Sequence, residues 1–142
     1  MKKCAYFSIK ELVSKQVYQK YKETAWMFFG PDEKDDLDTI REANGRAIII
    51  NNWAVGGNLS QCGFRCNLDP LVISKTGVYC SAHCMGKAFD LHDVLGNNTR
   101  LHEIVTGLIK KKKLKAFRRI EKLDTTPTWV HVDSFDSDKM TF

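Results

Sequence analysis

The sequence predicts a single α+β domain, because helix-like and strand-like patterns follow one another in an irregular order. Apolar residues recur at helical spacing near the N-terminus and again after residue 100, and short apolar runs typical of strands also occur. A chain of 142 residues can bury one core, and a composition of 43% apolar and 27% charged residues argues against disorder or a membrane protein. We expect one domain over residues 1–142, with its core at about 6–134 and a polar tail at 135–142.

Two helices are predicted in the first third of the chain. Ser8 and Glu11 have the spacing of a capping box, and the apolar residues that follow them predict a helix over about 8–22. Pro31 and the acidic residues after it predict the start of a second helix, which should end at Gly45.

The rest of the chain alternates between strand-like and loop-like segments. Residues 46–50 read as a buried strand, and 51–79 as a long loop rich in Gly, Asn and Ser, which inside a compact domain is usually functional. An amphipathic helix should follow, capped near Asn98 or Thr99. Residues 116–123 and 128–133 are predicted to be strands.

Charge is concentrated in one basic run. The net charge is +5, and positively charged residues are concentrated at Lys111–Arg119. Such a run would favour binding to an anionic partner, namely nucleic acid, acidic lipid or a wall polymer. The simpler interpretation is the solvated end of a helix, where lysines suit the helix dipole. No apolar run reaches the ~20 residues of a membrane helix. Because Lys10 and Glu11 interrupt the apolar residues near the N-terminus, we expect no signal peptide.

The cysteines allow a zinc site but do not require one. Their number is odd, so they cannot all pair within one chain, and two pairs have three residues between the thiols, namely Cys62 with Cys66 and Cys80 with Cys84. Four thiolates at such spacing could hold structural zinc. The default interpretation is reduced thiols packed as small apolar groups.

His83 and Asp90 form the first fragment of a candidate metal site. They are seven residues apart, so on one continuous strand they would lie on opposite faces. Gly86, which lies between them, permits a turn that would bring both side chains to the same place.

The second fragment is the sequence WVHVD. His131 and Asp133 are two residues apart in a predicted strand and therefore share a face, together with Trp129. His83, Asp90 and His131 would supply three nitrogen and oxygen ligands of the kind that zinc accepts. Three protein ligands leave a fourth position for water, as in catalytic zinc sites.

The two fragments resemble a known family. The pattern S-x-H-x-x-G-x-A-x-D in residues 81–90, followed after a helix and a strand by W-V-H-V-D, closely resembles the zinc D-alanyl-D-alanine carboxypeptidases. That superfamily includes murein endopeptidases, phage L-alanyl-D-glutamate peptidases and the hedgehog signalling domain. The segments FSIKELV, RAIII and NNWAVGGN are similar to its usual lead-in, so the resemblance covers about residues 6–134.

The resemblance implies a small domain with an antiparallel sheet and flanking helices. It also implies that His83, Asp90 and His131 hold Zn²⁺ and that the chain hydrolyses peptide bonds in peptidoglycan stem peptides. Arg65, the only arginine of the central loop, would bind substrate carboxylate or backbone oxygens, with Ser81 and Trp129 as further substrate contacts. Without a signal peptide, such a chain fits a phage lysin or virion-associated enzyme, located in the virion or in the host cytoplasm before its release to the cell wall. A bacterial protein exported by another route is the alternative.

The general base is where the sequence departs from the family. Several relatives carry Glu or Asp three residues before the last zinc histidine, where this chain has Thr128, and others carry a histidine where this chain has Trp129. The remaining carboxylates are Asp133, Asp124 and Glu121. Asp133 is preferred because it shares a face with His131, although it could instead orient that histidine.

Other interpretations remain open. The chain could have kept its zinc and lost its base, which would leave a non-catalytic module that binds cell wall or another anionic polymer. His131 and Asp133 could begin the two-histidine, one-carboxylate triad of a non-haem iron oxygenase, although no histidine follows them. A nucleic-acid protein built on the basic run would leave the histidine pattern unexplained. His92 is expected to be a bystander and His102 to be structural.

Overall fold

The computed structural model describes residues 1–137 and confirms an α+β domain. Its five α-helices are α1 (Ile9–Leu12), α2 (Lys15–Tyr21), α3 (Pro31–Asn44), α4 (Pro70–Ile73) and α5 (Asn98–Lys110). Three 3-10 helices span Lys22–Phe28, Trp53–Val55 and Ala82–Met85. The strands are β1 (Ile48–Ile49), β2 (Ala88–Asp93), β3 (Arg119–Ile120) and β4 (Val130–Asp133).

The four strands form one antiparallel sheet in the order β1-β2-β4-β3. Strand β2 is central and pairs with β4 so that Asp90 lies opposite His131 and Ala88 lies opposite Asp133. Beyond the end of β1, the edge of β2 is occupied by the central loop, because the amide of Asp90 donates to the carbonyl of Cys62 over 2.8 Å. The loop is thereby attached to the sheet beside the candidate metal ligands.

The pleat of the sheet separates an apolar face from a polar face. Side chains on alternate residues point to the same side of a strand. The apolar side carries Phe89 and Leu91 of β2 with Val130 and Val132 of β4, all fully buried, and α5 packs against these two strands. The other side carries Asp90, His131 and Asp133. The core face thus fixes the register that brings the polar residues together.

Helices α1 and α2 correct the prediction of one helix over 8–22. The capping box is present, with the amide of Ser8 donating to Glu11 Oε2 over 2.8 Å. The helix ends at Leu12 because Val13 is extended and forms a bridge to Phe64. Ser14 then caps α2. A tertiary contact with the central loop outweighs the local helical pattern here.

The other elements follow the predictions with shorter bounds. Helix α3 begins at Pro31 and ends before Gly45, whose φ of 72° is left-handed, and α5 is capped by Asn97, one residue earlier than expected. Strands β1 and β3 are shorter than the strands expected at 46–50 and 116–123. Part of the predicted tail contacts the domain, since Nη1 of Arg119 donates to the Ser137 hydroxyl over 2.6 Å. Residues 138–142 lie outside the described part.

Within residues 1–137, no helix combines the length and the apolar character needed to cross a membrane.

Candidate metal centre

Three side chains converge on the polar face of the sheet. His83, Asp90 and His131 each offer one ligand atom, and these atoms lie within 4.8 Å of one another. Nδ1 of His131 is 2.9 Å from Oδ1 of Asp90, and Nε2 of His83 is 3.4 Å from the same oxygen. Within residues 1–137 it is the only cluster of at least three His, Cys, Asp or Glu side chains that could hold a metal ion. The arrangement predicted from the sequence is therefore present.

Sheet register accounts for two of the three residues. Asp90 in β2 and His131 in β4 are directly opposite each other, so their side chains emerge on the same face at the spacing of a cross-strand pair. Phe89 and Val132, their neighbours in the chain, point into the core, which prevents a one-residue slip.

His83 reaches the site from a turn, as the sequence predicted. It lies in the 3-10 helix Ala82–Met85, whose N-cap, Ser81, accepts the His83 amide on its hydroxyl at 3.2 Å. Gly86 ends this helix at φ 69°, and a Cβ there would collide with the carbonyl oxygen of Phe28. Gly86 is therefore required both for its backbone conformation and for the close approach.

Each of the three residues has its second polar atom held by a neighbour. Nδ1 of His83 lies 2.9 Å from the carbonyl oxygen of Gly63, which can only accept, so Nδ1 carries the proton and Nε2 is left for a metal. Oδ2 of Asp90 lies 3.4 Å from Nη2 of Arg65.

For His131, Oδ2 of Asp133 lies 3.0 Å from Nε2, which leaves Nδ1 on the side of Asp90. Such outer contacts are typical of metal-binding histidines, because they fix the tautomer and the ring orientation. The residues present thus fit a divalent cation.

Electrostatics couple Asp90 and His131. Burial alone would raise the pKa of Asp90, but hydrogen bonds with His131 and His83 outweigh it and hold this pKa well below its usual range. Burial lowers the pKa of His131, but hydrogen bonds with Asp133 and Asp90 outweigh that effect and raise it to about 9. Asp90 and His131 therefore each favour the charged form of the other.

Asp133 was the preferred general base, and its contacts favour the orienting role considered beside it. Oδ1 accepts Nε of Arg119 at 2.7 Å and the amide of Phe135 at 3.0 Å. Oδ2 accepts Nη2 of Arg119 at 2.9 Å and faces Nε2 of His131 at 3.0 Å. The side chain is 2% exposed. A carboxylate with both oxygens occupied in this way has little capacity to take a proton from water.

The other two base candidates lie elsewhere around the site. The amide of Glu121 donates to the carbonyl of His131 over 3.2 Å, and the Glu121 carboxylate contributes to the raised pKa of His131. Asp124 is exposed in the turn that follows. Neither side chain lines the cavity beside the metal cluster.

A cavity of about 350 Å³ opens beside Asp90. Arg65 and Trp129, two of the predicted substrate contacts, line it together with Thr128 and His92. Arg65 is held in place by its Nε, which donates to the Gln61 carbonyl over 2.6 Å. Ser81 does not line the cavity, and its hydroxyl serves as the helix cap already described.

His92 is the cavity residue that was expected to be a bystander. It lies two residues after Asp90 in β2 and so shares its face of the sheet. The alternation of Phe89, Asp90, Leu91 and His92 between apolar and polar was visible in the sequence, but these residues were not predicted as a strand, so the shared face of Asp90 and His92 was not inferred. His102 is structural as expected, with Nε2 2.8 Å from the carbonyl of Glu121.

The cysteines are free thiols and form no metal cluster among the described residues. Cys62 lines the cavity beside Asp90, and burial together with the charge of Asp90 raises the pKa of its thiol to about 12. A thiol that holds its proton so firmly is a poor ligand and a poor nucleophile. Cys4, Cys62 and Cys66 pack against the core, as the interpretation as packed thiols predicts, whereas Cys80 is exposed.

Comparisons with family models, with curated proteins and with solved structures find no match to this chain. The likeness to the carboxypeptidase family therefore depends on the motif residues alone and stays a prediction.

Proposed function

We propose that this protein is a zinc-dependent peptidase that hydrolyses peptide bonds in bacterial peptidoglycan stem peptides. One observation carries the proposal: His83, Asp90 and His131 converge, and each has its other polar atom held by Gly63, Arg65 or Asp133. The three remaining atoms, which are Nε2 of His83, Oδ1 of Asp90 and Nδ1 of His131, face one another, as the ligands of a single cation would.

The choice of zinc follows from the donor set. Two imidazoles and one carboxylate suit zinc, and three protein ligands are the number found in catalytic zinc sites. Zinc bound there would act as a Lewis acid on the scissile carbonyl and on the attacking water. The cavity beside Asp90 supplies room for a substrate to approach.

Arg65 and Trp129 support a peptide as the substrate. Arg65 contacts Asp90 and lines the cavity, so a substrate carboxylate or carbonyl oxygen would meet a fixed positive charge at the edge of the metal cluster. Trp129, which directly precedes β4, offers an apolar surface in the same cavity. The assignment to peptidoglycan comes from the motif resemblance, and a net charge of +5 favours association with an anionic wall.

A second candidate is a zinc-containing module that binds the wall without cleaving it. It is favoured by one observation, namely that Asp133 is fully engaged with Arg119 and His131 while Thr128 occupies the position where relatives carry a carboxylate. Under this alternative the metal cluster would serve to hold the loop and the sheet together.

The test is mass-spectrometric analysis of purified peptidoglycan, from several wall types, after digestion with the zinc-loaded protein. New stem-peptide termini are expected with the natural sequence and with His102→Ala, which alters a histidine outside the site, but not with His131→Ala. The position of the new termini identifies the bond that is cut. If the protein binds one zinc but releases nothing from any wall type, the non-catalytic module is the correct assignment.

A further inference from the structure

We propose that His92 is the residue that accepts the proton of the attacking water, through its Nε2 atom. This inference rests on the proposed peptidase function and supplies the proton acceptor that Asp133 does not, because both of its oxygens are occupied by Arg119, Phe135 and His131. Three features of the structure support it, namely the position of His92 on the sheet, the tautomer of its ring, and the side of the metal cluster on which the cavity lies.

The first step is position. His92 lies two residues after Asp90 in β2, so its side chain is on the same face of the sheet. It also lines the cavity, together with Asp90, Thr128 and Trp129. An imidazole is therefore present at the wall of the cavity, beside the candidate ligand Asp90.

The second step is the tautomer. Nδ1 of His92 lies 3.1 Å from the carbonyl oxygen of Ile49, its partner across the β1–β2 pair. A carbonyl oxygen can only accept a hydrogen bond, so Nδ1 carries the hydrogen and the neutral ring has its lone pair on Nε2. Within residues 1–137, Nε2 makes no hydrogen bond to the protein. The ring is thus anchored at one nitrogen and available as an acceptor at the other.

The third step is the side of the cluster that is open. The cavity is lined by Asp90, His92, Thr128 and Trp129, so it lies toward the His92 end of the two strands. Asp133 and its partner Arg119 lie at the opposite end. A water that approaches a substrate carbonyl from the cavity would meet His92 before either of those residues.

The chemistry is balanced without a further reactant. As the water oxygen forms the new bond to the carbonyl carbon, its proton passes to Nε2 of His92. The same proton then moves to the leaving nitrogen as the C–N bond breaks, which returns the imidazole to its neutral state. One water is consumed, and a carboxyl group and an amine are formed.

The variants that test this separate the two ring nitrogens. His92→Asn places an amide N–H near the position of Nδ1 and keeps a donor for Ile49, but it removes the acceptor. His92→Gln places its amide near Nε2 and cannot take up a proton. Either variant should lower kcat by about 10²- to 10⁴-fold, the usual contribution of a general base, while zinc affinity stays as in the natural sequence. Added imidazole should restore part of the lost rate to His92→Asn.

A second readout does not depend on activity. The ¹⁵N NMR shifts of the His92 ring in the zinc-loaded protein should show hydrogen on Nδ1 and none on Nε2. The opposite tautomer would overturn the proposal, because Nε2 would then be a donor. Wild-type kcat in both variants, with peptide cleavage intact in the natural sequence, would overturn this inference alone. A natural protein that binds zinc and cleaves nothing would overturn it together with the proposed function.

Discussion

Nε2 of His131 lies 3.0 Å from Oδ2 of Asp133, and Arg119 donates hydrogen bonds to both oxygens of the same carboxylate. This contact determines which nitrogen of His131 faces Asp90. With Nε2 committed to Asp133, only Nδ1 of His131 can face Asp90 and a shared cation. Arg119 in turn prevents the carboxylate from rotating away from the ring.

Replacing Asp133 should weaken zinc binding. In Asp133→Asn the ring of His131 loses its anionic partner and its fixed orientation, so we expect zinc affinity to fall by about 10- to 100-fold. The free energy of unfolding should also fall, by about 1–3 kcal/mol, because Arg119 loses its counter-charge. Competition with a chromophoric chelator measures the affinity, and urea unfolding measures the stability.

The matched control for that variant is Asp124→Asn, because Asp124 is exposed in a turn outside the cluster. It should bind zinc like the natural sequence. If Asp133→Asn remains folded and also retains full zinc affinity, Asp133 does not orient His131 and its role must be sought elsewhere.

Zinc binding should release a proton at neutral pH. The pKa of His131 in the metal-free protein is raised to about 9, so at pH 7 its Nδ1 is protonated and must lose that proton before it can bind a cation. Affinity should therefore rise by about tenfold per pH unit between pH 7 and 9 and level off above that. Calorimetric titration in buffers of different ionisation enthalpy counts the protons. No release at pH 7 would contradict the contact between His131 and the two carboxylates.

The same group predicts the pH dependence of the metal-free protein. The folded pKa of His131 lies above the ordinary value of 6.5, so its ion pairs stabilise the fold fully below about pH 6.5. This contribution should be lost as pH rises through about 9. Urea unfolding of the metal-free protein at pH 6, 8 and 10 should show the decline, and His131→Gln should show less of it.

Gly86 should tolerate no side chain. Gly86→Ala would place a Cβ at φ 69° and against the carbonyl of Phe28, so we expect a loss of stability of more than about 1 kcal/mol together with weaker zinc binding. Gly107→Ala in α5 is the control, because its Cβ would meet nothing within 4 Å. That substitution should raise stability by about 0.5–1 kcal/mol. Thermal unfolding measures both, and equal effects would contradict the turn geometry.

Asp93 at the end of β2 is predicted to control acid stability. It accepts Nε and Nη2 of Arg46 at 2.7 and 2.6 Å and the amide of Asn97 at 3.0 Å, and the bond with Arg46 holds its pKa well below the usual range. A depressed pKa means that this stabilisation is present above about pH 4 and lost as pH falls below it.

Asp93→Asn should lower the free energy of unfolding at pH 7 by about 1–3 kcal/mol, nearer the lower end because Arg46 is partly exposed. It should also flatten the acid limb of stability against pH. Glu23→Gln, which removes the exposed partner of Lys3, should leave the transition unchanged. An unaltered acid limb in Asp93→Asn would contradict the prediction.

The parts of the site that could be predicted were those set by local spacing. The shared face of His131 and Asp133 follows from the two-residue period of a strand. The turn follows from the position of Gly86 between His83 and Asp90. Helix α3 was predictable because Pro31 and Gly45 mark its two ends in the chain itself.

The parts that could not be predicted depend on partners far away in sequence. The sequence around Asp133 does not indicate that Arg119 on β3 binds both of its oxygens, so the base was the preferred role for this residue. Likewise, the break between α1 and α2 depends on Phe64 of the central loop. His92 is a different case: Phe89, Asp90, Leu91 and His92 alternate between apolar and polar residues, but residues 88–93 were not predicted as a strand, and His92 was expected to be a bystander.

X-ray absorption at the zinc edge of the protein loaded with one equivalent of zinc tests the central claim most directly. Ligation by His83, Asp90 and His131 predicts a first shell of nitrogen and oxygen at about 2.0–2.1 Å, with imidazole scattering beyond it and no sulfur. The signal of imidazole should weaken in His131→Ala. A sulfur shell at about 2.3 Å would contradict the account, since it would place the metal on the cysteines instead.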